Sequence, residues 1–376
     1  MEMAQDLLAC LPSDQAGGTF IGRAQAPDGP HVIMVSGGEL RDITAVASSV
    51  SGALARRALA GGVTLGPVSA GLPDDWTLLS PIDLHCVKAC GVTFADSAVE
   101  RVIEERALGD AGKAAALRTQ LEARIGAGIR SVAPGSPAAA ALKQALLAEG
   151  MWSAYLEVAI GPDAEVFSKA PVLSTVGTGA EIGVRSDSGW NNPEPEIVLV
   201  VDPAGVVVGA TLGNDVNLRD IEGRSALLLS KAKDNTASCA IGPLIRLFDA
   251  GFGIDDVRSA EVDLLVEGLD GFHMEGSSQM RAISRDPLEL VRQTLSEHGY
   301  PDGLVLFCGT LFAPTQDRDE PGRGFTHKRG DRVTIRSARL GTLVNTVTSC
   351  RDAPPWSIGI AAFMRNLHER GLADRV

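Results

Sequence analysis

Apolar and polar residues alternate with a period of two through residues 17–47. The pattern is clear in "TFIGRAQ", "HVIMVSGG" and "ELRDITAV", which are separated by "PDGP" and "GG". Successive side chains on a strand face opposite ways, so this rhythm predicts short strands joined by turns. From about residue 96 the spacing becomes helical. In "DSAVERVIEERALGD", Ala98, Val102 and Ile103 fall on one face, with Asp96 or Ser97 expected as the cap. "AGKAAALRTQLEARIG" and "SPAAAALKQALLAEGMWSAYLEVAIG" carry the helical pattern on to about 157.

Beyond about 165 short apolar runs return between Gly and Pro turns: "IGVRS", "EIVLVVDPAGVVVGATLGND", "EVDLLVEG", "LVLFCGTLFAP" and "DRVTIRSARLGTLVNTV". Two helices are expected among them, in "DPLELVRQTLSEHGY" and "PPWSIGIAAFMRNLHERG". Many strands with few intervening helices argue for an α+β protein built on a β-rich mixed roll or barrel, not a doubly wound parallel sheet. The expected organisation is a small β-rich N-terminal domain (1–95), a helical connecting or lid segment (96–157) and a catalytic β-roll domain (158–376).

Charge and composition narrow the partners. A formal net charge of −13 repels phosphate backbones and anionic membranes. Aromatics make up only 4% of residues, too few for base-stacking platforms. "MEMAQDLLACLPSD" has no basic segment ahead of its apolar patch, and no apolar run is long enough to span a bilayer, so a cytoplasmic protein is expected. The six cysteines are scattered, as in a reducing compartment. His85, Cys86 and Cys90 in "HCVKAC" invite a zinc reading but lack a second ligand pair.

The chemistry concentrates in "NNPEPEIVLVVDPAGVVVGATLGNDVNLRD", residues 191–220. Glu194 and Glu196 are two apart at the start of an apolar run, so their carboxylates share a face. "DPAG" then turns the chain, and the returning strand brings Asp215 back beside them. Converging carboxylates repel and raise one another's pKa unless a cation neutralises them. Oxygen-only ligands favour a hard ion such as Mg²⁺, Ca²⁺ or Mn²⁺. Spacing alone leaves open that the three are solvated acids at strand edges.

At this point the sequence resembles the fumarylacetoacetate hydrolase family. The shared pattern is Glu-x-Glu before an apolar strand, then G-x-x-x-N-D-x-(S/T)-x-R-D, then a Lys followed by Gly-Pro. Here these are Glu194 and Glu196, "GNDVNLRD" with Asn217 at the Ser/Thr place, and Lys233 followed by "GPLI". "GLVLFCGTLFAPT" and "FTHKRGDRVTIRSARLGTLVNTV" are similar to later family elements, and the match runs over roughly 165–350. The resemblance implies a dimeric β-roll with Mg²⁺, or Mn²⁺, on Glu194, Glu196 and Asp215. It also implies a 2-oxo acid bound through its carboxylate and keto oxygens.

Within the family, "EVFSKAP", "IGVRSDSGWNNPEPE", Cys-Ala-x-Gly-Pro at 239–243 and "PPWSIGIAAFMRNLHERGL" resemble the 2-keto-3-deoxypentonate dehydratases. That branch loses water from an arabinonate- or xylonate-derived acid to give 2,5-dioxopentanoate in pentose breakdown. The alternative is metal-dependent hydrolysis of a C–C bond in an acylpyruvate. The hydrolases' lid His-Glu pair has no secure counterpart here, His85 being the nearest, which favours elimination. The resemblance makes Glu165 the first acid/base candidate, Lys233 the second, and Lys169 a partner for Glu165 or for a substrate carboxylate. Arg185, Asp187, Ser188, Thr310 and Lys233 are the substrate-binding candidates. Arg219 and Asp220 read as a scaffold behind Asp215, and Asn214 as a turn residue.

Overall fold

The computed structural model describes residues 7–312 and 314–376, so the first six residues of the N-terminal stretch lie outside the described residues. The strands are β1 (Thr19–Ala26), β2 (Gly29–Ser36), β3 (Glu39–Asp42), β4 (Val63–Pro67), β5 (Thr77–Leu78), β6 (Cys86–Gly91), β7 (Glu165–Ala170), β8 (Glu181–Val184) and β9 (Asn191–Asn192). They continue with β10 (Pro195–Val201), β11 (Val207–Asp215), β12 (Asn217–Leu218), β13 (Cys239–Leu247), β14 (Glu261–Glu267), β15 (His273–Gln279), β16 (Leu304–Phe307), β17 (Arg332–Ser337) and β18 (Gly341–Ser349). The main helices are α1 (Ala95–Arg106), α2 (Ala111–Leu121), α3 (Pro137–Ala148), α4 (Ala154–Ile160), α5 (Arg219–Glu222), α6 (Leu229–Lys233), α7 (Pro287–Leu295) and α8 (Ile360–Glu369).

The main sheet runs β4-β3-β2-β1-β13-β11-β10-β16-β6-β7, with β5 beside β1. A five-stranded sheet, β15-β14-β17-β18-β8, packs on it, and β9 and β12 form a two-stranded ribbon. The architecture is the expected α+β, β-rich roll, without a closed barrel. β10 explains why. Ile197, Leu199 and Val201 belong to the core shared with Leu264 and Val266 of β14 and Val333 and Ile335 of β17. Val198 and Val200, on the opposite face, belong to a second core with Ile21, Val32, Val87 and Phe307. A strand buried on both faces needs an apolar run without alternation, as "IVLVV" supplies. Pro195 is tolerated because it is the first strand residue, where the missing N–H breaks no interior ladder.

The boundaries at 95 and 157 stand as our proposal for how the chain is organised. β1 hydrogen-bonds directly to β13, so the N-terminal strands extend the main sheet. The helical segment has its own apolar cluster, in which Val99, Val102 and Ile103 of α1 meet Ile125, Ile129, Leu156 and Ile160. α1 starts at Ala95, earlier than a cap at Asp96 or Ser97 would allow, with Phe94 as its N-cap residue. Asp96 falls in the first turn, and Ser97 turns its hydroxyl to the Thr310 carbonyl. That long-range hydrogen bond takes Ser97 away from capping. No helix among the described residues is long and apolar enough to cross a membrane.

Candidate metal centre and active site

The β10–β11 hairpin builds the centre. Its register sets Pro195 opposite Asn214 and Glu196 opposite Gly213, and the Asp215 N–H donates to the Glu194 carbonyl at 3.0 Å. The first and last acids of the triad are therefore cross-strand neighbours. Glu194, Glu196 and Asp215 are all buried, and each offers an oxygen within 4.8 Å of the others'. Among the described residues this is the one group of His, Cys, Asp and Glu atoms close enough to share an ion. His85, Cys86 and Cys90 form no such group; His85 is buried near Asp83 instead, at 3.8 Å.

Cationic side chains reach the triad from three directions. Lys233, at the end of α6, places Nζ 2.5 Å from Glu194 Oε2 and 3.2 Å from Asp215 Oδ2. Lys169 of β7 lies 2.8 Å from Asp215 Oδ1 and donates to the Lys233 carbonyl. Arg101 of α1 stands 2.7 Å from Glu194 Oε1, 2.7 Å from Glu104 and 2.9 Å from Glu222. Glu196 is left with one donor, the Gly309 N–H at 2.6 Å.

The electrostatics follow from this unequal sharing. Burial raises the Glu196 carboxyl well above the usual glutamate range, and Asp215 and Glu194 push it further. Burial would raise Asp215 too, but Lys169 and Lys233 outweigh it and hold its carboxyl low. Burial would lower the Lys233 ammonium; Asp215, Glu194 and Glu222 prevail and hold it raised. Burial lifts the Glu222 carboxyl to about 7 against the pull of Arg101 and Lys233. Around the triad, Glu165, Glu194, Glu196, Asp215 and Glu222 carry five formal negative charges. Arg101, Lys169 and Lys233 carry three positive ones. Negative charge outweighs positive around the triad, and the donors are hard oxygens that suit a divalent ion such as Mg²⁺ or Mn²⁺. These residues fit such an ion.

Glu165 of β7 comes close enough to the triad to feel Arg101, Lys233, Glu194 and Asp215, without lining the cavity there. Register sets it opposite Gly91 of β6, and a Cβ on Gly91 would lie 1.9 Å from Glu165 Oε2. The bare glycine therefore makes room for that carboxylate. Burial raises the Glu165 carboxyl, with Arg101 and Lys233 opposing. A cavity of about 20 Å³, enough for one water-sized group, is lined by Gly91, Ser97, Arg101, Phe167, the triad, Glu222, Lys233 and Thr310.

Of the other expected residues, Thr310 lines this cavity; its Oγ1 accepts from the Phe312 N–H. Lys169 is fully buried behind Asp215 and pairs with it rather than with Glu165. Arg185 and Asp187 pair with each other at the surface, and Ser188 donates to Asp220; none of the three lines the cavity. A tight local turn brings Arg185 and Asp187 together, two residues apart. Arg219 is ion-paired, though with Glu104 at 2.6 Å and Glu100 at 3.0 Å rather than with Asp220, and lies over the Trp190 ring. Asn214 is no turn residue. It sits inside β11, and its Oδ1 accepts from the Glu194 N–H at 3.1 Å, which fixes the start of β10.

The sequence reading passed over Arg101, Glu222 and Gly91. Arg101 and Ser97 are four apart on one face of α1, a signal for one shared surface. Nothing local says that this surface meets β10.

Residues 157–348 match the family described as fumarylacetoacetate (FAA) hydrolase C-terminal. Over 187 residues the chain is 33% identical to a protein of Saccharolobus solfataricus named 2-dehydro-3-deoxy-D-arabinonate dehydratase. Over 195 residues it is 34% identical to one of Haloferax volcanii named probable 2-keto-3-deoxyxylonate dehydratase. These alignments cover 50% and 52% of this chain and 59% and 64% of those relatives, so the chain spans less than two thirds of either relative's length. A solved structure described as 2-keto-3-deoxy-D-arabinonate dehydratase complexed with magnesium and 2,5-dioxopentanoate is similar in fold. Its TM-score is 0.63 at 22% identity, covering 88% of this chain and 99% of that one.

Proposed function

Because the chain belongs to the fumarylacetoacetate hydrolase family, we propose that it is a Mg²⁺-dependent lyase that dehydrates a 2-keto-3-deoxypentonate to 2,5-dioxopentanoate. The observation that carries the reading is the buried Glu194–Glu196–Asp215 triad, with the raised carboxyl of Glu165 near it. The names of the two relatives point to the same reaction.

In this reading Glu194, Glu196 and Asp215 hold the ion. When bound, it supplies Lewis-acid stabilisation of the charge that grows on the substrate's ketone oxygen. Glu165 takes a proton from C3, which the ketone acidifies. A carboxylate whose basicity burial has raised suits that step. Lys233 is held as an ammonium by its two carboxylates, so it serves as a fixed positive charge and not as the base. Glu165 then returns its proton to the departing C4 hydroxyl, and water leaves. Movement of hydrogen from C5 and its hydroxyl to C3 and C4 completes 2,5-dioxopentanoate. Arg101 and Glu222 close the cavity from the helical side, where excluded water strengthens every charge interaction. The proposal includes a cytoplasmic homodimer, in keeping with six unpaired cysteines.

The test is incubation with 2-keto-3-deoxyxylonate or its arabinonate counterpart and Mg²⁺, with products read by mass. Loss of one water from an intact carbon skeleton supports the dehydratase. Release of pyruvate would overturn it in favour of C–C hydrolysis.

A further inference from the structure

Next to the carboxylate cavity lies a second compartment of about 20 Å³, bounded by Asn192, Asn217, Glu100 and Glu104 and sharing Ser97 and Thr310 with the first. Its size admits one water-sized group. Asn192 of β9 and Asn217 of β12 are directly opposed in the two-stranded ribbon, so their side chains stand on one face. They are 2% and 1% exposed. Both Oδ1 atoms lack any hydrogen-bond partner. For Asn192 the orientation is pinned: Nδ2 donates to the Pro193 carbonyl at 2.9 Å, which leaves the oxygen over.

The neighbours do not supply the missing donors. Glu100 and Glu104 are carboxylates and can only accept. Arg101 and Arg219 also line the compartment, but their hydrogen bonds go to Glu194, Glu104, Glu222, Glu100 and the Pro314 carbonyl and not to the asparagines. Ser97 donates to the Thr310 carbonyl. A buried acceptor without a donor is costly, and two facing one water-sized space call for a hydroxyl group. Asn217 also stands where the family pattern has the shorter Ser or Thr, so this wall belongs to the chain's own sequence.

We propose that Asn192 and Asn217 form the subsite for the substrate's terminal C5 hydroxyl. This rests on the 2-oxo acid reading above. Amide oxygens can only accept. The C4 hydroxyl has to be protonated to leave, so acceptors would hinder it. The C5 hydroxyl stays, donates its hydrogen, and gives that hydrogen up when C5 becomes the aldehyde; acceptors favour both events.

The experiment uses the full chain loaded with Mg²⁺. Turnover is compared for 2-keto-3-deoxypentonate and 4-hydroxy-2-oxopentanoate, which keeps the leaving group but lacks the terminal hydroxyl. Binding of 2-oxopentanoate, which has neither hydroxyl, is followed by calorimetry. The wild type should prefer the C5-hydroxylated compound by about tenfold or more in kcat/KM. Asn192→Leu and Asn217→Leu should reduce that preference to about twofold, and 2-oxopentanoate affinity should stay within about twofold. Asn217→Ser, the milder change, should give an intermediate preference and covers the case in which a leucine variant does not fold. Equal turnover of both compounds by the wild type, with 2-oxopentanoate still bound, overturns the subsite and leaves the 2-oxo acid reading standing. Variants that lose 2-oxopentanoate as strongly as the pentonate also overturn the subsite. If the Mg²⁺-loaded wild type binds no 2-oxo acid at all, both proposals fall.

Discussion

Arg101 Nη2, on the helical segment, lies 2.7 Å from Glu194 Oε1, at the start of the central strand. One guanidinium thereby ties α1 to a candidate metal ligand, and it reaches Glu104 and Glu222 as well. With Arg101 in place the cavity holds one water-sized group, far less than a five-carbon acid. We propose that this contact parts to admit substrate, the helical segment then acting as a cover held by charge. Arg101→Met should destabilise the protein by about 3 kcal/mol, the cost of stripping one partner from buried carboxylates. Arg101→Lys should recover part of that. Equilibrium denaturation measures both, and a loss near zero for Arg101→Met would refute the tie.

The triad predicts how stability depends on pH and on metal. Glu196 and Glu222 have raised folded-state carboxyls, the latter at about 7. A raised carboxyl stays protonated in the folded chain after the unfolded chain has released its proton. The folded state then binds more protons, and stability falls as pH rises from the ordinary glutamate range through about 7. A divalent ion reverses this by replacing the protons, so Mg²⁺ should raise Tm more at pH 8 than at pH 5.5. Scanning calorimetry with Mg²⁺ or EDTA tests it; an equal effect at both pH values would speak against binding at the triad.

Glu196→Gln separates repulsion from ligation. Removing one of three crowded acids should leave the metal-free protein as stable as the wild type or more so, while the Mg²⁺-dependent gain in Tm and the turnover disappear. Retention of both metal effects in this variant would show that the ion sits elsewhere.

Glu165→Gln should lower kcat by roughly 10²- to 10⁴-fold, the usual contribution of a positioned acid/base group, with little change in Mg²⁺ affinity. The acidic limb of the wild-type kcat profile should lie above the ordinary glutamate range, since burial raises this carboxyl. A profile unchanged by Glu165→Gln would assign the proton transfer to another group.

Gly91→Ala tests the same carboxylate without touching it. The added Cβ would meet Glu165 Oε2 at 1.9 Å. The far end of a flexible side chain can swing aside, so the fold should survive while the carboxylate is displaced by about an ångström. Such misplacement costs on the order of a hundredfold in kcat. A large loss of Tm with unchanged kcat would mean that the backbone yields and Glu165 stays.

The residue order by itself determined the β10–β11 hairpin and that Glu194, Glu196 and Asp215 lie near one another; that they are buried together was decided by the fold. Those positions are linked by rules that act over a few residues: the i, i+2 face of a strand, a "DPAG" turn, and a proline at a first strand position. It also determined that a helical segment separates the N-terminal strands from the β10–β11 region. It could not decide what that segment covers. Arg101 meets Glu194 across 93 positions of chain, and Arg219 meets Glu104 across 115. Neither contact leaves a mark in local periodicity. Lys169 by itself reads as a solvated surface lysine; the tertiary structure buries it behind Asp215. Arg185 and Asp187 are expected at a substrate pocket from the sequence; what only the tertiary structure shows is that they pair with each other. The difference is physical. Strand pairing and turns are set by neighbours in sequence, whereas the sharing of charge in a buried site depends on which distant elements the hydrophobic cores bring together.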